Sequence, residues 1–166
     1  MIKPLFQRIV VAYNGSQSSL RAVMFGIIMA RQYKCSLKVV YVVDTATIRQ
    51  LALSKFIVKE EGDTIAGNLQ QDGDRNLSYV AALAKTKGVK IDVELRKGAV
   101  WSEIITAADE YKANLVLLGG TTGGSRTTSS LVHDVVTEQD AEIIGSAHCS
   151  VMVVREPFIE QLFKMC

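Results

Sequence analysis

The chain has 166 residues, enough for one domain whose core needs neither disulfides nor metal. Its 19 basic and 17 acidic residues leave a net charge of +2 and are dispersed, so no run of Lys and Arg marks a nucleic-acid partner. No apolar stretch approaches the roughly 20 residues that span a bilayer, and Met1-Ile2-Lys3-Pro4-Leu5-Phe6 is too short for a secretion signal; the expectation is a cytoplasmic protein with no membrane or nucleic-acid partner.

Arg8-Ile9-Val10-Val11-Ala12 is a short apolar, β-branched run closed by Asn14-Gly15-Ser16. Ser18 or Ser19 is expected to cap the helix whose apolar residues recur at helical spacing over 20–33. Leu37-Lys38-Val39-Val40-Tyr41-Val42-Val43 reads as a strand covered on both faces, the pattern of a parallel sheet. Ile48, Leu51, Ala52, Phe56 and Ile57 suit a short amphipathic helix, and a second runs from Ile65 to a left-handed stop at Gly88. Residues 91–95 alternate as an edge strand, Gly98 breaks it, and 100–111 form a helix. Leu115-Val116-Leu117-Leu118 is a buried strand running into Gly119-Gly120-Thr121-Thr122-Gly123-Gly124-Ser125. A helix follows over about 134–144, then the strand Val151-Met152-Val153-Val154, stopped by Pro157. Phe158, Ile159, Leu162 and Phe163 repeat at helical spacing in a tail that either folds on its own subunit or packs across a dimer. Cys35 and Cys149 are expected as small buried residues and Cys166 as an exposed thiol.

Strands alternate with helices throughout. This predicts one α/β domain: an open, doubly wound sheet of five mostly parallel strands, order 3-2-1-4-5, with helices on both faces. The core spans about 6–155 and the tail 156–166. Ligands of such sheets bind at the carboxyl ends of strands where the order reverses. Here that point lies between the first and fourth strands, where Asn14-Gly15-Ser16 meets the glycine-rich segment. Gly119, Gly120, Gly123 and Gly124 allow close backbone approach and an anion-binding nest of N–H groups. Thr121, Thr122 and Ser125 add hydroxyls, and Arg126 suits a phosphate. The alternative is a surface loop whose glycines serve a turn. Neither a P-loop nor a dinucleotide fingerprint is present.

The remaining polar candidates have plain readings beside sharp ones. His133-Asp134 is either an acid–base or ribose-contacting pair, or a loop histidine followed by a helix cap. His148-Cys149 lacks partners at metal-ligand spacing. Ser16, Ser18 and Ser19 fit turn and capping chemistry.

Taken together, Ile9-Val10-Val11-Ala12-Tyr13-Asn14-Gly15-Ser16, Lys97-Gly98, Ala113-Asn114-Leu115-Val116-Leu117-Leu118-Gly119 and Ala147-His148-Cys149-Ser150-Val151-Met152-Val153-Val154 resemble, in order and spacing, the universal stress protein family over about 6–155. That family has members that bind ATP, through G-x-x-G, nine residues, then G-S or G-T, and members that do not. Gly120-Thr121-Thr122-Gly123 matches the first half by spacing, although strand phase aligns Gly119 with its first glycine. The chain departs from the pattern at His133-Asp134, in place of Gly-Ser, and at Asn14, in place of Asp.

The resemblance implies a stress-related regulatory protein that binds ATP or AMP without catalysis, with magnesium accompanying ATP. Asn14 would hold ribose, Ala12 and Val42 would flank adenine, and Gly119, Gly120, Gly123, Gly124 and Ser125 would hold phosphates. Arg126, His133 and Asp134 are possible further contacts. It also implies a homodimer through Val151, Met152, Val153 and Val154. The departures keep open a nucleotide-free dimeric module that binds a protein partner, and, more remotely, a slow ATP hydrolase.

Overall fold

The computed structural model describes residues 2–120 and 138–166. Five strands, β1 (Arg8–Tyr13), β2 (Ser36–Val43), β3 (Asp92–Lys97), β4 (Leu115–Gly119) and β5 (Ser150–Val154), form one sheet in the order β3-β2-β1-β4-β5. Each neighbouring pair is parallel. The helices are α1 (Gln17–Tyr33), α2 (Thr45–Leu53), α3 (Lys59–Thr86), α4 (Val100–Tyr111), α5 (Glu138–Ser146) and α6 (Ile159–Met165). The expected strand order and helical layers are therefore those of the molecule.

Alternation along the central strands divides the core in two. Ile9, Val11, Val39 and Leu117 point to the side of α1, α3 and α6. Val10, Val40, Val116 and Leu118 point to Ile104 and Ala107 of α4 and Ile143 of α5. Burial of these aliphatic side chains, each worth about 1.5–3 kcal/mol, holds helices to both faces. Gly26 lets α1 settle closely on the sheet: a Cβ there would stand 3.0–3.3 Å from Leu37, Val11 and Leu117.

Several local expectations are corrected. Ser16, not Ser18 or Ser19, caps α1; its Oγ accepts from the Ser19 N–H at 3.2 Å. Gly15, at φ +83°, turns the chain early enough for Gln17 to open the helix. α3 starts at Lys59, six residues before the apolar repeat, on a polar first turn containing Glu60 and Glu61. α2 forms but stops at Leu53 and has no buried residue, and Phe56 lies beyond it in solvent. Cys35 and Cys149 are half-buried, not buried, while Cys166 is exposed. Burial pushes both half-buried thiols up, and Asp109 adds to this at Cys149. The tail folds on its own subunit: Ile159 and Phe163 are buried, Glu160 pairs with Arg21 of α1 at 3.2 Å, and Phe158 and Leu162 face outward.

Candidate functional site

β1 leads into α1 on one face of the sheet while α4 and α5 pack on the other, which leaves a cleft at the ends of β1 and β4. The cleft has a volume of about 250 Å³. Its apolar walls come from Ala12, Val42 and Leu118 on the strands, Val100 and Ile104 on α4, and Ile143 on α5. Its polar rim comes from Asn14, Ser16 and Ser18 on one side and from Gln139 and Asp140 on the other. Such an apolar slot with a few polar groups suits a flat ring system with hydroxyls at its edge.

The β1–α1 rim is a closed hydrogen-bonded turn. Asn14 Oδ1 accepts from the Ser16 N–H at 3.0 Å and from the Ser19 hydroxyl at 2.8 Å, an Asx turn. Ser19 is itself buried, and its Oγ receives the Asn14 N–H at 3.3 Å. The NH2 group of Asn14 is then the part that can serve a ligand hydroxyl. Behind this turn stands Asn76 of α3. Its Oδ1 lies 3.4 Å from the Tyr13 hydroxyl, and its Nδ2 would be 3.0 Å from a Cβ on Gly15. Burial raises the Tyr13 phenol above its ordinary value, helped by Tyr79 and Tyr41.

The opposite rim is held by a borrowed cap. Ala99, at the N-terminus of α4, makes no side-chain cap. Gln139 takes that role across space, its Oε1 accepting from the Trp101 N–H at 3.1 Å. This contact pins the start of α5 beside the cleft.

Gly119 and Gly120 have a packing reason for being glycine. A Cβ on Gly119 would come within 2.5–2.6 Å of the Ser18 and Ser19 backbone, so α1 begins directly against the end of β4. A Cβ on Gly120 would meet the Arg155 stem at 2.8 Å and Val153 and Val154 at 3.0 Å, and the Gly120 N–H donates to Val154 O at 3.0 Å.

Of the sequence-predicted site residues, the structure brings Ala12, Asn14, Val42 and Gly119 together around the cleft, with Gly120 one step beyond. Gly123, Gly124, Ser125, Arg126, His133 and Asp134 lie outside the described residues. Sequence reasoning missed Val100, Ile104, Gln139, Asp140 and Ile143, because only the fold swings α4 and α5 over the strand ends. For the same reason it could not foresee that His148 Nδ1 lies 2.9 Å from Asp109, at the surface. Among the described residues no group of three or more His, Cys, Asp or Glu side chains is placed to hold a metal ion. At the β5 edge, Val154 is buried and Val151, Met152 and Val153 are half-buried. No helix among the described residues is long and apolar enough to cross a membrane.

Comparison with known proteins agrees with this architecture. The family model for the universal stress protein family matches residues 5–155. The universal stress protein MJ0531 of Methanocaldococcus jannaschii is 32% identical over 156 residues, covering 92% of this chain and 84% of the relative. Among solved structures, a universal stress protein family protein from Arabidopsis thaliana with AMP bound superposes with a TM-score of 0.59 at 16% identity, over 89% of this chain and 90% of that one. A universal stress protein in complex with cAMP gives a TM-score of 0.54 at 21% identity, over 90% and 97%. At these identities the two structures speak for the fold. The sequence match and the family model carry the assignment: this chain belongs to the universal stress protein family.

Proposed function

We propose that this protein is a non-catalytic, stress-related regulator that binds an adenine nucleotide, ATP or AMP, in the cleft between β1 and β4. The observation that carries the reading is the cleft's make-up: an aliphatic slot from Ala12, Val42, Leu118, Ile104 and Ile143 beneath a rim of amides, hydroxyls and the Asp140 carboxylate. The slot takes the base and the Asn14 NH2 takes a ribose hydroxyl. Gly119, Gly120, Gly123, Gly124 and Ser125 lie along the path of the phosphates, with Arg126, His133 and Asp134 as further contacts and magnesium accompanying ATP. AMP and cAMP in related folds support this ligand class. The proposal includes one cytoplasmic domain, paired as a homodimer through Val151, Met152, Val153 and Val154.

The test is to denature freshly purified protein, identify released small molecules by mass spectrometry, and titrate the protein with ATP and AMP. Bound or titratable adenine nucleotide is expected, and Gly123→Trp should abolish it. Failure in both assays would overturn the reading. The second reading, a nucleotide-free dimeric module that binds a protein partner, rests on Asn14, whose side-chain oxygen is already engaged by Ser16 and Ser19.

A further inference from the structure

Gly73 brings α3 down onto the sheet. A Cβ there would stand 2.7 Å from Leu95 and 2.8–2.9 Å from Tyr41, so the helix backbone lies directly on β2 and β3. Asn76, one turn further along the same helix face, is thereby carried to the carboxyl end of β1. Its side-chain amide meets three groups there. Tyr13, itself buried, donates its hydroxyl to Asn76 Oδ1 at 3.4 Å. Tyr41 stands edge-on to Tyr13, with ring centroids 6.2 Å apart. Burial and then Asp72 raise the Tyr41 phenol, and a hydrogen bond with Asn76 works against both. The third group is the backbone of Gly15: Asn76 Nδ2 lies 3.0 Å from where a Cβ would stand on it.

Gly15, at φ +83°, is the residue between Asn14 and Ser16. Asn14 Oδ1 accepts from the Ser16 N–H and the Ser19 hydroxyl, so this turn is closed from within by Ser16 and Ser19 and backed from behind by Asn76. Asn76 is not part of the cleft lining, whereas Asn14 is. Its reach to a ligand therefore runs through the turn.

We infer that Asn76 is a positioning residue, fixing the turn that aims the Asn14 NH2 at a ribose hydroxyl of the bound nucleotide. This inference rests on the adenine-nucleotide reading above. A binding group keeps its aim when packed and hydrogen-bonded neighbours hold it, and loses the bond it was placed to make when they are removed. Without the Asn76 amide, Gly15 has a void behind it and the turn can fall back from the cleft.

Calorimetric titration of the full chain with AMP and with dideoxy-AMP, which lacks both ribose hydroxyls, tests it. The wild type should bind AMP about tenfold more tightly than dideoxy-AMP, the effect of one hydrogen bond. Asn76→Ala should close that gap, weakening AMP about tenfold and leaving dideoxy-AMP unchanged. Tyr13→Phe, which removes only the hydroxyl that Asn76 accepts, should narrow the gap in the same way and serves if Asn76→Ala fails to fold. A general loosening of the fold would weaken both ligands alike. That result, equal binding of the two ligands by the wild type, or a gap that ignores both substitutions would overturn the inference while leaving the nucleotide reading intact. Binding of neither ligand by the wild type would overturn both.

Discussion

The two edge strands of the sheet meet solvent with opposite chemistry. β3 carries Asp92, Glu94, Arg96 and Lys97. On it Arg96 is clasped by Glu94, Glu103 and Glu110, and Lys38 of β2 reaches Glu94 at 2.8 Å. Burial opposes the Arg96 charge, yet its three carboxylates hold the guanidinium above its ordinary value. β5 reads Ser-Val-Met-Val-Val and has no charge at all. Charged side chains blunt an edge against foreign strands, whereas an apolar edge invites one. The parallel pairing also fixes where each backbone group points. Val154 O accepts from Gly120 N–H, so the N–H and C=O of Val151 and Val153 face away from β4.

Breaking the contrast at β5 should have the largest effect. Val153→Pro removes an outward N–H and leaves the bonds to β4 intact, so the proposed dimer should weaken by about 100-fold. Light scattering at micromolar concentration should then report a monomer mass; an unchanged dimer would place its interface elsewhere. At β3, Arg96→Met leaves three carboxylates without their cation and should lower unfolding free energy by about 2 kcal/mol in urea titrations, with the interaction partly screened. A smaller effect concerns pH. Burial by itself would raise the Glu94 carboxyl, but its bonds to Lys38 and Arg96 hold it below its ordinary 4.5. A depressed native value stabilises the fold above 4.5, and this contribution is lost as pH falls through the lower native value. Thermal melts below pH 4.5 should therefore fall more steeply for the wild type than for Glu94→Gln. Least of all, His148→Ala, at the approach to β5, removes an exposed pair with Asp109 and should change stability by under about 0.5 kcal/mol.

The fold was legible because its signals are local. Unbroken β-branched runs bounded by glycine and asparagine mark buried parallel strands, and residues 100–111 form the helix their spacing predicts. Boundaries were missed where polar residues extend a helix beyond its apolar repeat, as Gln17-Ser18-Ser19 and Lys59-Glu60-Glu61 do. The site was legible by half. Asn14 follows from the switch point, a property of strand order, whereas Ala12 and Val42 came only from the family resemblance. Gln139 and Asp140 follow from where α5 lands beside the strand ends, which no spacing rule encodes. The glycines at 119 and 120 were visible as glycines, but their clearance against Ser18 and Arg155 is a fact of packing.

The clasp around Arg96 gives the sheet a valence of one. A strand that joins at β5 finds an open seam, but the far side of the sheet offers the next arrival a fringe of fixed charge. In the proposed dimer, two copies joined seam to seam would turn only their charged margins outward, which would stop strand addition at a pair instead of letting it run on into a filament.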